Sequence, residues 1–328
     1  MINKRILLFG FVATLSLIKT YAQNLPLFTQ YREYNSFINP GSISQDYFLY
    51  EYNLTAAVSN RSQWIGVENG PKNLYAKLEY VHNLEGSFNL FGGIHLIKDD
   101  TDPSSFTGFY GRVGTMFSKD PYYGGFALGL AFGRQQFSFD TNKVTFLDQN
   151  DPINSNAISN QSNSDVGLGL FYFKRFRKGK FKDDDIYMGF SMPQILNLDL
   201  NYLENQEIGV SRLAHYYVNI GAHKYIAESS FFEPSIWLKF TDQDPLHLDF
   251  LLRYYHNNLV WLGLGVSNSS SLNIEIGYIH GANKGNSKAL KIGYGFSTGI
   301  SAHSISYGTS HEINVSYSID TNSKRKFY

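Results

Sequence analysis

The sequence predicts an all-β fold, a transmembrane antiparallel β-barrel of about 14 strands in the outer membrane, preceded by a cleaved signal peptide. Three observations carry that expectation. Apolar and polar residues alternate over most of the chain, the charges keep to one of the two alternating files, and the composition is rich in Tyr, Phe and Gly without any cysteine.

The alternation comes first. Tyr52, Leu54, Ala56 and Val58 form one file against Asn53, Thr55, Ala57 and Ser59, and Leu74, Ala76, Leu78 and Tyr80 form the next against Tyr75, Lys77 and Glu79. Similar apolar files follow at Phe88–Leu96, Phe109–Phe117, Phe126–Phe132, Val166–Tyr172, Ile186–Phe190, Tyr216–Ile220 and Phe232–Phe240. The last are Leu248–Tyr254, Val260–Val266, Leu272–Tyr278, Leu290–Phe296 and Ile313–Ile319. An even number of strands places both chain ends on one side, expected to be periplasmic.

The opposite files separate a membrane barrel from a soluble sandwich. They hold Lys77, Glu79, His95, Arg112, Glu233, Lys239, Asp249, Arg253, Glu275, Lys291 and Glu312, interleaved with glycine. No charge interrupts the core of an apolar file, where an Arg at mid-membrane on the lipid face costs about 2–4 kcal/mol. Connection lengths point the same way. Asn60–Gly70, Phe139–Ser164, Pro193–Arg212 and Thr298–Thr309 are long and odd-numbered, while Asn83–Gly86, Asp120–Tyr123 and His256–Asn258 are short and even-numbered. Arg175–Asp185 is a charged even connection of medium length, and the odd connections at Thr241–Pro245 and Asn268–Ser270 are short.

Lys4 and Arg5 precede an apolar run from Ile6 to Ile18 and then Thr20-Tyr21-Ala22, which reads as a secretory leader cleaved before Gln23. That run is shorter than the roughly 20 residues a spanning helix needs. The absence of cysteine removes disulfides, thiolate metal sites and a lipid anchor on an N-terminal cysteine. A net charge of zero gives no sign of a nucleic-acid partner. The expected organisation is a signal peptide at 1–22, a periplasmic or lumenal segment at 23–49, the barrel at 50–319 and a basic periplasmic tail at 320–328. The segment Gln23–Leu49 lacks sustained alternation and is expected to pack in the lumen or under the periplasmic mouth.

Chemistry-bearing motifs are sparse. His311-Glu312 has the start of a zinc-protease signature, but the second His, due four residues after the first, is Val315, and the local period of two makes Glu312 lumenal. Asp183-Asp184-Asp185 and Asp99-Asp100-Thr101-Asp102 are possible calcium ligands, yet neither has the spaced ligands and turn glycine of a calcium loop. No phosphate loop and no nucleophile elbow is present. The expectation is a non-enzymatic protein without a cofactor.

The non-periodic stretches carry a family resemblance. LPLFTQY at Leu25–Tyr31, Ile38-Asn39-Pro40-Gly41, and LTAAVSNRSQWIG at Leu54–Gly66 with Gly70-Pro71 resemble the opening of the PorP/SprF family, outer-membrane proteins associated with type IX secretion and gliding. Further landmarks are Asp140–Lys143, Asp148–Pro152, Gly189–Leu196, Glu233-Pro234-Ser235, Trp261-Leu262-Gly263, Ile292-Gly293-Tyr294 and Ser310–Ile313; Arg61, Gln63, Trp64 and Gly66 are the most specific. This chain departs from the pattern after Asn39-Pro40, where Gly41-Ser42-Ile43-Ser44 stands in place of an alanine and a later glycine, and in its basic tail.

The resemblance implies a component that helps secrete, retain or display large surface proteins, such as gliding adhesins bearing the type IX C-terminal domain. It also implies a periplasmic, peptidoglycan-linked anchor protein as partner, with outer-membrane lipid around the barrel. Candidate motif or partner-contact residues are Asn39, Pro40, Arg61, Gln63, Trp64, Gly66, Pro71, Pro234, Trp261, His311 and Glu312. The alternative is a passive channel or hydrophobic-solute transporter, since one fold serves many functions.

Overall fold

The computed structural model describes residues 28–84, 87–148, 158–196, 198–203, 206–242, 246–282, 286–301 and 308–321. The leader at 1–22, residues 23–27 of the following segment and the tail from 322 lie outside the described residues.

Alternation becomes strand nearly everywhere it occurs. The first half of the wall is β1 (Leu54–Ile65), β2 (Lys72–Asn83), β3 (Phe88–Thr101), β4 (Ser104–Phe117), β5 (Gly124–Asp140), β6 (Ile158–Arg175) and β7 (Asp185–Met192). A separate hairpin of β8 (Leu198–Leu203) and β9 (Gln206–Arg212) follows. The wall resumes with β10 (Tyr216–Ala227), β11 (Ser230–Phe240), β12 (His247–His256), β13 (Val260–Ser267), β14 (Ser271–His280), β15 (Lys288–Gly299) and β16 (Thr309–Ile319). The fourteen wall strands are antiparallel to their neighbours and close through β1 and β16, from Leu54 opposite Ile319 to Ile65 opposite Thr309, with an irregularity between Ser62 and Ile65.

The two faces invert the burial of a soluble protein. Val58, Ile94, Leu130 and Leu264 are 47–56% exposed on the outside, whereas Glu233, Arg253, Glu275 and Glu312 are 0% exposed inside. Large aliphatic side chains facing outward in an unbroken band are stable only against lipid. The wall therefore lies in the outer membrane.

Three local readings are corrected. Tyr52, placed by alternation in the outward file, is buried, and its hydroxyl donates to the Gly281 carbonyl at 2.9 Å. The hairpin β8–β9 occupies what alternation took as the plain connection Pro193–Arg212. Strands β5 and β6 pair from Gly124 opposite Lys174 to Asp140 opposite Ile158, so much of Phe139–Ser164 is ladder.

Inside the barrel runs the segment from Phe28, here called the plug. It folds as a 3-10 turn (Tyr31–Tyr34), α1 (Asn35–Ile38) and α2 (Gln45–Tyr50). The Asp46 amide donates to the Ser44 hydroxyl at 3.3 Å to cap α2, and Glu51 ends it in the left-handed conformation at φ 66°. Phe28, Tyr34, Phe37 and Ile38 pack on Tyr75, Tyr110, Tyr217 and Trp237 of the wall, while Tyr47 and Phe48 pack on Phe91, Phe171 and Phe173. This burial replaces a repeating pattern as the force that orders the segment.

Candidate functional site

Two rims bound the lumen. At the terminal rim lie the start of β1, the end of β16, the ends of β2, β4, β6, β10, β12 and β14, and the starts of β3, β5, β7, β11, β13 and β15. At the far rim lie the turn at 66–71, the short links from β3 to β4, β11 to β12 and β13 to β14, and the ends of the strands joined by the longer stretches of sequence between β5 and β6, β7 and β10, and β15 and β16. The plug runs from beneath the far rim to the terminal rim, and it is anchored at three depths.

The first anchor is Glu312 on β16. Its carboxylate accepts from the backbone amides of Thr29 at 2.8 Å and Gln30 at 3.1 Å, and Arg61 on β1 stands 3.8 Å away. Thr29 also pairs with the Ser297 hydroxyl at 2.7 Å. Two amides in succession aimed at one carboxylate make an anion-holding concavity of main chain, and here the anion comes from the wall.

The second anchor is a belt of buried charge at mid-lumen. Arg32 meets Glu233 at 2.6 Å, and Glu233 also accepts from the Tyr187 hydroxyl at 2.9 Å. Glu33 takes Arg253 at 2.9 Å and Lys291 at 3.7 Å, and Arg253 reaches on to Glu275 at 2.7 Å. Asp46 holds Lys291 at 2.7 Å and accepts from Ser318 at 2.6 Å. Glu33 thus has two cations of the wall facing it, Arg253 and Lys291.

The opposite wall grips the plug by backbone contacts. Asn39 Nδ2 donates to the Leu170 carbonyl at 2.8 Å and its Oδ1 accepts from the Gly41 amide at 2.8 Å. Arg112 donates to the carbonyls of Pro40 at 3.1 Å and Ser42 at 2.6 Å while pairing with Glu79. A side chain at Gly41 would run into the backbone of Gly169, and one at Gly129 into that of Pro40. Chain touches chain there, which leaves no room for a side chain at Gly41.

The third anchor is at the terminal rim. Tyr47 donates to Asn83, Tyr50 donates to Asn258 at 3.2 Å, and Arg175 reaches the Phe48 carbonyl at 3.2 Å and Asp185 at 3.3 Å. Beside α2 opens a cavity of about 670 Å³, lined among others by Leu49, Tyr50, Tyr123, Lys182, Tyr225 and Glu228.

The candidate residues fall into separate groups. Arg61, Gln63, Trp64, Pro71 and Glu312 converge at the β1–β16 seam near the far rim. Gln63 donates from its amide to Pro71 O at 2.8 Å and from Nε2 to Asn73 at 2.8 Å. Trp64 is 38% exposed at φ 54°, and Gly66 takes φ 105° in the turn beyond it. His311 faces outward beside the Tyr294 hydroxyl at 2.5 Å, away from Glu312. Asn39 and Pro40 lie in the lumen on β6. Trp261 faces the lumen, its indole occupying the space a side chain at Gly277 or Gly293 would need, and Pro234 lies on the outer face of β11. The candidate set did not include Arg32, Glu33, Asp46, Arg112, Glu233, Arg253 and Lys291, which hold the plug. For Arg112, Glu233, Arg253 and Lys291 on the wall the signal is the inward file of charges, but alternation alone does not say which charges meet, and Arg32, Glu33 and Asp46 of the plug carry no such pattern.

Among the described residues no group of three or more His, Asp or Glu is placed to hold a metal ion. Asp184 pairs with Lys224 at 2.5 Å, and Asp185 with His223 and Arg175. The arrangement can fix a segment of chain inside a wall.

A model of the family described as type IX secretion system membrane protein PorP/SprF matches residues 20–317. No individually curated protein matches the chain. Among solved structures, the CymD monoaromatic hydrocarbon channel aligns at a TM-score of 0.54 with 7% identity, over 92% of this chain and 94% of that one. The Pseudomonas putida toluene transporter TodX aligns at 0.50 with 9% identity, over 92% and 95%. A TodX deltaS2S3 mutant aligns at 0.52 with 11% identity, over 87% and 94%. Identities this low show a shared barrel fold.

Proposed function

The chain belongs to the PorP/SprF family of type IX secretion system membrane proteins, and on that premise we propose that it is a sealed outer-membrane scaffold that helps secrete, retain or display large surface proteins, such as gliding adhesins. The observation that carries this reading is the plug, tied to the wall at three depths by buried charge and aromatic packing. A barrel filled in this way suits holding a partner at either mouth.

In this reading the terminal rim faces the periplasm and the far rim faces outward, in keeping with the longer connections at the far rim. Trp64, left half-exposed on a left-handed backbone beside the seam, is the proposed contact for a surface protein bearing the type IX C-terminal domain. The cavity beside α2 is the proposed seat of a periplasmic, peptidoglycan-linked anchor protein. Crosslinking in cells followed by identification of the captured proteins should return one large surface protein and one periplasmic anchor. Recovery of neither sinks the assignment while leaving the barrel intact. Trp64→Ala should lower surface display several-fold with an unchanged amount of folded barrel.

The hydrocarbon channels suggest solute passage as a second reading, through shared architecture alone. A passage for solute requires the plug to move, which gives conductance a direct bearing on the choice.

A further inference from the structure

A short pattern recurs where strands descend to the terminal rim. Strand β2 ends in Tyr80-Val81-His82, β12 in Tyr254-Tyr255-His256 and β14 in Tyr278-Ile279-His280. In each, the aromatic ring and the imidazole belong to the outward file, and the His is exposed. The Tyr80 hydroxyl lies 3.4 Å from His82 Nδ1, the Tyr254 hydroxyl lies 3.0 Å from His256 Nδ1, and Tyr278 stacks on His280 with centroids 6.5 Å apart. Lysine takes the place of histidine twice more: Tyr172-Phe173-Lys174 runs to the end of β6, and Phe117 ends β4 with Lys119 two positions into the connection that follows.

Five of the seven wall strands that run toward this rim thus carry an aromatic residue and, two positions further out, a base. On β10 the corresponding base is Lys224, which pairs with Asp184 at 2.5 Å, and on β16 Tyr317 is followed by Ile319. Among the described residues none of the five bases is ion-paired. Of the exposed cations toward the far rim, Lys98 pairs with Asp100 at 2.7 Å and Lys143 with Asp102 at 2.6 Å, while Arg134 donates to the Ser162 hydroxyl at 2.6 Å.

An aromatic ring at a barrel's interface marks the edge of the hydrocarbon. Two residues along a strand span about 6.8 Å, so the four bases on strands stand one pleat outside that edge, at the depth of lipid headgroups, and Lys119 follows directly on the end of β4. With the terminal rim facing the periplasm, the orientation proposed above on which this inference rests, the anion at that depth is the phosphodiester of a glycerophospholipid. Lysine binds phosphate as a point charge and imidazole offers it an N–H. We propose that these five pairs form a collar that binds the headgroup phosphates of glycerophospholipids in the leaflet at the terminal rim. The ring covers the top of the acyl chain and the base takes the phosphate, so each pair reads both halves of one lipid.

The test uses the full-length protein in maltoside micelles, with phosphatidylethanolamine as the probe and native mass spectrometry counting retained lipids. The variant carries His82→Gln, Lys119→Gln, Lys174→Gln, His256→Gln and His280→Gln, and the control carries Lys98→Gln and Lys143→Gln. Folding of each is read from heat-modifiable electrophoretic mobility. The collar predicts several-fold less retained lipid for the variant, no change for the control, weak retention of diacylglycerol with the same chains, and no displacement by millimolar inorganic phosphate. Equal retention by variant and wild type, or equal retention of diacylglycerol, overturns it. Should the fivefold variant not fold, His280→Gln and Lys174→Gln singly and together must give a graded loss, and no gradation overturns the proposal equally. Lipid retention is read without reference to secretion, so this result and that of the crosslinking experiment stand apart.

Discussion

At the scale of single residues, Glu312 is the clearest case of a side chain whose meaning changes with its surroundings. Beside His311 in the sequence it suggests a catalytic pair, but strand geometry turns the two to opposite faces and leaves Glu312 accepting two amides from the plug. Hydrogen bonds to a charged acceptor contribute about 1.5–3 kcal/mol each. Glu312→Gln should therefore free the start of the plug, and proteolysis within residues 28–44 of the purified barrel should speed up by tenfold or more. An unchanged rate would show that packing around Phe28 alone holds that end. Gly41→Ala tests the opposite wall. The added methyl meets the Gly169 backbone, which has no side chain to move aside, so the unfolding transition should fall by an amount in keeping with the roughly 1–3 kcal/mol cost of overpacking.

Among the elements, strands and plug differ in what the sequence discloses about them. The strands were legible because each must place one file against lipid and the other inward, and Leu74 to Tyr80 or Leu248 to Tyr254 announce this without knowledge of any neighbour. The plug has no such repeat: its residues are chosen one at a time by the wall they touch, so Arg32 and Glu33 read as ordinary loop charges until Glu233 and Arg253 are seen opposite them. The seam residues Arg61 and Glu312 emerged through family resemblance, and their pairing through register. The ion belt also has a test of its own: Glu33→Gln removes the charge that faces Arg253 and Lys291, so protease access to the plug at neutral pH should rise several-fold over wild type, and an unchanged rate would show that packing alone holds the segment.

For the whole molecule the question is whether a barrel of fourteen strands wound around its own N-terminal segment conducts. The wall is wide enough to enclose the plug with its helices, and similar walls belong to proteins described as hydrocarbon channels. What decides conduction is the cost of clearing the lumen. Releasing the plug takes Arg32 from Glu233, Glu33 from Arg253, and both Glu33 and Asp46 from Lys291, and strips the packing of Phe28, Phe37 and Phe48 from the wall. On the proposed reading, that combined cost keeps the open state too rare to carry steady current. Purified protein in planar bilayers should accordingly be silent, and the double variant Glu33→Gln, Glu312→Gln, which loosens two anchors at neighbouring depths, should show brief openings. A steady conductance in wild type would remove the argument for a sealed scaffold and favour solute passage. Silence in wild type together with openings in the double variant would assign the seal to the plug itself, because the wall is the same in both.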